Sequence, residues 1–356
     1  MMRFDVFAAL QPPRDASSAA AKSGSYLIDE DIGLDKLAGK LNSSAPKPTA
    51  KGNEVLIEVH SAAINWFDVL QIAGKYQIKK PFPYVPGTEI AGVIAADSPI
   101  PEGCDLKPGD RVFGASNGSY AEYVTADFIQ LMPIPEGLGM DEASSLFITW
   151  PTSYAALVFR ANLQEGETVL VHAGAGGVGL AAIQIAKAMG ATVIATAGSE
   201  EKLKICKEVG GADEVVNYRD QKWPQKIKEL TDGAGVDVVY DPVGMILPSL
   251  KCIAWNGRIC VVGFAAGNIE KIPANLILLK NVAITGVFWG AYSKNEVDKI
   301  PEAWNALLEM FAKKTIKATV FTDKQYKGLE SLPEALGDLA ARKTWGKAVV
   351  RVKDEK

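Results

Sequence analysis

Three glycines spaced G-x-G-x-x-G carry the clearest chemistry in this sequence. Gly174, Gly176 and Gly179 directly follow the apolar run Val169-Leu170-Val171-His172 and lead into a helix-forming segment, Leu180 to Met189. A loop of this kind between a strand and a helix is suited to a dinucleotide pyrophosphate. Gly174 allows the tight turn, Gly176 lets the backbone approach the phosphates, and Gly179 lets helix and strand pack closely. Ala175, Gly177 and Val178 complete the loop, and the helix start offers unpaired N–H groups and a positive dipole end.

The next strand predicts which dinucleotide. Sites for the unphosphorylated cofactor hold an acid about 20 residues beyond the glycines, bonded to the ribose 2′-OH. Here Gly198 occupies that place, in Ala195-Thr196-Ala197-Gly198-Ser199. Gly198 leaves room for a 2′-phosphate, Ser199 can donate to it, Lys202 can add a positive charge, and Tyr218 can lay its ring and hydroxyl nearby. The combination points to NADP(H). Ser199 also suits a helix N-cap and Lys202 a solvated surface position.

Other chemistries are poorly supplied. The chain has two histidines, His60 and His172, and four cysteines, Cys104, Cys206, Cys252 and Cys260, with no C-x-x-C pair, so a protein-built metal site is not expected. Scattered cysteines fit a reducing compartment, and cytoplasmic residence is the expectation. A net charge of −4 gives no basic face for nucleic acid. No stretch reaches about 18 uninterrupted apolar residues, so no membrane span is expected. Met1–Leu10, with Arg3 and Asp5, makes a poor signal peptide.

The 356 residues suggest two domains. Residues 11–53 are rich in Ala, Ser, Pro and Lys and read partly as an exposed excursion. Short strands at Glu54–Val59, Glu89–Ala95 and Arg111–Phe113, with Gly and Pro turns, predict a mostly antiparallel barrel-like domain. From about Asp141, helical stretches alternate with Val- and Ile-rich strands at Thr168–His172, Ala191–Thr196, Glu214–Asn217, Val236–Asp241, Gly257–Gly263 and Val282–Val287. That alternation predicts a doubly wound parallel sheet. The strand within Trp345–Val352 is expected to return to the first domain. The α/β chain thus divides into residues 1–148 with 310–356, and residues 149–309.

The motifs together resemble the zinc-free, zeta-crystallin-like quinone oxidoreductases of the medium-chain dehydrogenase/reductase superfamily. The resemblance rests on Ala173–Gly179 with Ala182–Ala191, Asn65-Trp66-Phe67-Asp68, Gly74-Lys75-Tyr76, Pro83–Glu89, Ala254–Phe264, and Pro273–Leu276 with Gly286–Gly290. It covers nearly everything after Glu54. It implies a GroES-like barrel domain, a Rossmann domain, a site in the cleft, NADPH, and a homodimer through the Rossmann sheet edge near Val282–Val287. Zinc enzymes of the superfamily carry Cys and Gly-His-Glu near the positions of Asn65 and Gly87-Thr88-Glu89. The chain departs from some members at Leu70, where they place a tyrosine.

The resemblance implies hydride transfer from NADPH to a quinone without a metal. The alternatives are an alkenal or enone double-bond reductase, and a non-catalytic NADPH-binding, crystallin-like protein. Without a metal, catalysis must come from positioning and from donors to the developing oxyanion. Asn65 and Tyr76 are the candidates, Asn65 alternatively being a helix N-cap and Tyr76 a wall residue. Thr149 and Thr152 flank the nicotinamide by resemblance, or else cap and pack a helix. Val243, Phe264, Phe288 and Lys347 complete the expected cofactor contacts, with core packing the competing role for Phe288. His172 is expected to pack under the phosphate loop, and Asp68 to be structural.

Overall fold

The structure, a computed structural model, describes residues 22–116, 118–267 and 269–354. The expectations for Met1–Leu10 and for the start of the 11–53 excursion lie outside the described residues. Those described form two compact units, one spanning Ile148–Thr319 and the other residues 22–147 with 320–354.

The second of these begins with an antiparallel pair, β1 (Lys22–Tyr26) and β2 (Leu41–Pro46). Within the stretch expected to be partly exposed, Tyr26, Ile28 and Leu37 are fully buried in the unit's core, while Asp29–Asp31, Asn42–Ser44 and Lys51–Asn53 are among the residues that face solvent. Next come β3 (Glu54–Ala63), α1 (Trp66–Ile72), β4 (Glu89–Ile94), β5 (Arg111–Ala115), β6 (Tyr123–Asp127), β7 (Leu131–Pro133) and α2 (Met140–Ser144). β3, β4, β5 and β7 pair antiparallel in that order, and β6 pairs with the first half of β3. Val55, Ile57 and Val59 of β3 are fully buried, as their alternation predicts. Asp68 caps α1 by accepting from the Asn65 N–H at 2.8 Å, and Gly74 at φ +64° follows the helix.

The other unit opens with α3 (Thr149–Tyr154), which runs into a π-helical turn at Ala155–Arg160. It continues through β8 (Thr168–Val171), α4 (Gly177–Ala188), β9 (Thr192–Ala197), α5 (Glu200–Glu208), β10 (Glu214–Asn217), α6 (Trp223–Leu230), β11 (Val236–Asp241), α7 (Ile246–Ser249), β12 (Ile253–Val261), α8 (Ala274–Lys280), β13 (Ala283–Gly286), α9 (Tyr292–Asn295) and α10 (Lys299–Ala312). The six strands are parallel in the order β10-β9-β8-β11-β12-β13. β8 therefore stands where the order reverses, which is where such sheets bind ligands. The unit extends to Thr319, beyond the boundary expected at 309, because α10 packs Phe311 edge-on to Trp150 at 4.9 Å.

The chain then returns to the first sheet through β14 (Tyr326–Lys327), α11 (Leu332–Ala340) and β15 (Val349–Arg351). β15 pairs antiparallel with the end of β3, Val349 opposite Ala63. Leu332, Ala335 and Leu336 of α11 join that unit's core. No helix among the described residues is long and apolar enough to cross a membrane.

Candidate functional site

The phosphate loop is shaped by close packing. The left-handed turn falls on Ala173, at φ +48°, and not on Gly174. Gly174 is needed for room: a Cβ there would meet Cys206 Sγ at 2.9 Å and Ala195 Cβ at 3.0 Å. At Gly179 a Cβ would meet the Ala173 carbonyl oxygen at 2.4 Å, so only glycine lets α4 start this close to the loop. Gly176 is different. It is the N-cap of α4, and a Cβ there would meet only the Ala173 oxygen, at 3.3 Å. That open side is the one from which phosphates can approach.

Beneath the loop, His172 is fully buried, with Nδ1 2.9 Å from Thr196 Oγ1 and Nε2 2.8 Å from Ser249 Oγ. Burial pushes its pKa down to about 3, so it is a neutral packing residue. Ser153 of α3 donates to the Val178 carbonyl at 2.9 Å and meets the Tyr240 hydroxyl at 2.9 Å, tying α3 to the loop. On the same helix Thr149 is buried, and Thr152 donates back to the Ile148 carbonyl at 2.6 Å.

At the end of β9, Tyr218 closes over Gly198. A Cβ at 198 would lie 2.6 Å from the Tyr218 hydroxyl, so the acid typical of unphosphorylated-cofactor sites has no room. Ser199 caps α5, accepting from the Lys202 N–H at 3.4 Å, and Lys202 sits in that helix's first turn. After β11, the Asp241 carboxylate accepts from the N–H groups of Val243, Gly244 and Met245 at 2.9, 2.9 and 2.6 Å, fixing the loop that carries Val243. Phe264 and Phe288 are 38% and 49% exposed, so Phe288 is not the core residue its type suggests.

The other unit holds a buried polar cluster. Lys347 Nζ donates to Glu89 Oε2 at 2.5 Å, Asn65 Oδ1 at 2.7 Å and the Ile64 carbonyl at 3.2 Å. Asn65 Nδ2 donates to the same Glu89 oxygen at 2.8 Å. Lys347 is 4% and Glu89 0% exposed. Lys347, expected among the cofactor contacts, thus gives its three N–H groups to this cluster. Asn65 is the N-cap residue of α1, but its side chain points to the ion pair. Asp68 beside it is fully buried and accepts from the Tyr120 hydroxyl at 2.6 Å; burial raises its pKa to about 6.

Tyr76 packs on Phe67, ring centroids 5.7 Å apart. With Gln71, Ile78, Lys80, Phe82 and Tyr84 it lines a cavity of about 240 Å³. Burial first, then the Asp68 charge, raises the Tyr76 pKa, so its hydroxyl stays protonated.

The donor set does not fit a zinc ion. By the resemblance Asn65 and Thr88 stand near the positions where zinc enzymes carry Cys and His, and Glu89 engages the Lys347 ammonium. Among the described residues, no three His, Cys, Asp or Glu side chains gather to hold a metal.

Sequence reasoning missed the roles of Glu89, Asp241 and Ser153. Asp241 had a readable signal, an Asp opening the turn Pro242-Val243-Gly244. The Glu89–Lys347 pair had none, since its members are 258 residues apart.

Two known families match the two units. The one described as alcohol dehydrogenase GroES-like domain matches residues 51–136, and the one described as zinc-binding dehydrogenase matches residues 177–313. The quinone oxidoreductase-like protein 2 homolog of Nematostella vectensis is 41% identical over 307 residues, covering 85% of this chain and 82% of its own. The crystal structure of Escherichia coli quinone oxidoreductase complexed with NADPH has a TM-score of 0.79 at 28% identity, covering 93% of this chain and 99% of its own. That of the CurK enoyl reductase has a TM-score of 0.80 at 27% identity, covering 93% and 99%. The phosphate loop, the reversal of strand order at β8 and these likenesses agree: the chain belongs to the quinone oxidoreductases of the medium-chain dehydrogenase/reductase superfamily.

Proposed function

We propose that this chain reduces a quinone with NADPH and without a metal ion. The observation that carries the cofactor choice is Gly198 under the Tyr218 hydroxyl, which leaves no place for a ribose-binding acid and leaves Ser199 and Lys202 to a 2′-phosphate. Gly174–Val178 would hold the pyrophosphate, and Thr149, Thr152, Val243, Phe264 and Phe288 would border the rest of the cofactor. When bound, NADPH supplies the hydride.

The chain's own part is to hold the acceptor and stabilise charge that develops on its oxygen. Asn65 donates through its amide without titrating. Tyr76 donates through a hydroxyl that burial keeps protonated. Solvent supplies the final proton. Metal independence is supported by the Lys347 ammonium on Glu89 and Asn65, a donor set already satisfied by a cation.

Turnover of NADPH with 1,4-benzoquinone or 9,10-phenanthrenequinone, exceeding turnover with 2-alkenals, is the expected result in steady-state assays. No turnover with either quinone would overturn the reading. Preference for 2-alkenals would support the second reading, an enone reductase, which the likeness to an enoyl reductase favours. The partner we propose is a second copy, paired along the edge strand β13, where Leu278 and Leu279 on the neighbouring α8 are 78% and 71% exposed. Four unpaired cysteines support a reducing, cytoplasmic setting.

A further inference from the structure

We propose that Lys347 is a positioning residue: its buried ammonium fixes the orientation of the Asn65 amide, so that one amide N–H is held out for an acceptor oxygen. The inference rests on the reading of Asn65 as a donor and goes beyond it, because it says what aims that donor.

The argument is geometric. Oδ1 of Asn65 lies 2.7 Å from Lys347 Nζ, and Nδ2 lies 2.8 Å from Glu89 Oε2. Turning the amide over would set its NH2 against an ammonium and its carbonyl against a carboxylate. Both contacts would then be repulsive, and in a site this buried neither could be relieved by water. One orientation is therefore strongly selected. In it, one Nδ2 hydrogen is used by Glu89, and the second has no partner among the described residues. Asn65 remains 7% exposed, so the amide is not sealed off.

Lys347 itself has nothing left to offer a ligand. An ammonium has three donors, and these go to Glu89 Oε2, Asn65 Oδ1 and the Ile64 carbonyl. Its influence on chemistry must pass through Asn65. The same ammonium lies 2.5 Å from Glu89 Oε2, a carboxylate at 0% exposure. A cation fixed by the chain thus touches Asn65, which by the resemblance stands near the cysteine position of the superfamily's zinc enzymes.

The test is a double-mutant cycle with NADPH and 1,4-benzoquinone, joined to NADPH binding measured by fluorescence. Lys347→Met is expected to lower kcat at least 10-fold while the Kd for NADPH changes less than 3-fold. Lys347→Arg, which keeps a cationic donor, is expected to recover part of kcat. In an Asn65→Ala background, Lys347→Met is expected to cost less than 2-fold further. An equal loss in both backgrounds, or a loss in NADPH affinity with kcat preserved, would overturn the proposal. If Asn65→Ala alone leaves kcat unchanged, the donor reading of Asn65 is what fails. Should Lys347→Met not fold because the buried Glu89 carboxylate loses the Lys347 ammonium, the neutral pair Glu89→Gln/Lys347→Met replaces it in the same cycle, with the same expected and overturning results.

Discussion

Two neighbouring glycines in one loop should fail in different ways when a methyl group is added. At Gly179 the new Cβ would stand 2.4 Å from the Ala173 oxygen and 2.8 Å from Gly174 Cα, both backbone atoms. Ordinary carbon–oxygen contacts lie near about 3.3 Å, so the loop would have to move by roughly 1 Å. Overpacking of this kind costs about 1–3 kcal/mol. At about 2–4 °C per kcal/mol, Gly179→Ala should lower Tm by up to about 12 °C. Gly176→Ala meets one atom, at 3.3 Å, and only weakens an N-cap, at about 1 kcal/mol or less. Its methyl would instead stand where the pyrophosphate must approach. Losing one charge-assisted N–H contact there is worth about 1.5–3 kcal/mol, or roughly 10- to 100-fold in Kd. Thermal melts without ligand and fluorescence titration with NADPH read the two effects separately. Wild-type NADPH affinity in Gly176→Ala would refute the placing of phosphates on this loop. An unchanged Tm in Gly179→Ala would refute the packing argument.

Three further substitutions test the rest. Lys202→Ala should weaken NADPH roughly 10- to 100-fold, by the same energy per charge-assisted contact, and leave NADH unchanged; equal weakening of both would remove the 2′-phosphate assignment. His172 makes the dinucleotide unit acid-sensitive. Its pKa falls from 6.5 to about 3 on folding, so between those values the unfolded chain binds a proton that the folded chain refuses, and stability falls as pH drops below 6.5. The loss reaches roughly 3 kcal/mol at pH 4.5, and urea midpoints at pH 7.5 and 4.5 should separate less in His172→Gln than in wild type. Leu279→Glu places a charge beside the edge strand β13 and should convert a dimer to a monomer on a sizing column, with NADPH affinity retained.

Fold and cofactor loop were legible because they depend on neighbours in sequence. The Val-rich strands ending at Val171 and Asp241, and the glycines between β8 and α4, announce themselves locally. Gly198 was readable for the same reason, as an acid missing at a fixed offset. What was misread depends on distant partners or on backbone detail. The turn at Ala173 was assigned to Gly174, because in sequence a glycine is the natural bearer of a positive φ. Residues 11–53 read partly as an exposed excursion from their Ala, Ser, Pro and Lys content, yet Tyr26, Ile28 and Leu37 within them are held in the core by contacts with other segments. Lys347, expected among the cofactor contacts, lies on a carboxylate 258 residues earlier, a partner that no local signal announces.

The pairing of β15 with β3 has a consequence for how the protein is made. Val349–Arg351 hydrogen-bond beside Ser61–Ala63, and Lys347 neutralises Glu89, so this sheet and its buried charge wait for residues synthesised after the whole of the dinucleotide unit. The dinucleotide unit is one continuous stretch and can close while the ribosome still holds the rest. Until Lys347–Arg351 emerge, the end of β3 keeps an unpaired edge and Glu89 lacks the Lys347 ammonium. A stop before Trp345 would therefore remove the strand and the cation together. It would leave a nascent chain with one finished half and one half exposed to chaperones and proteases.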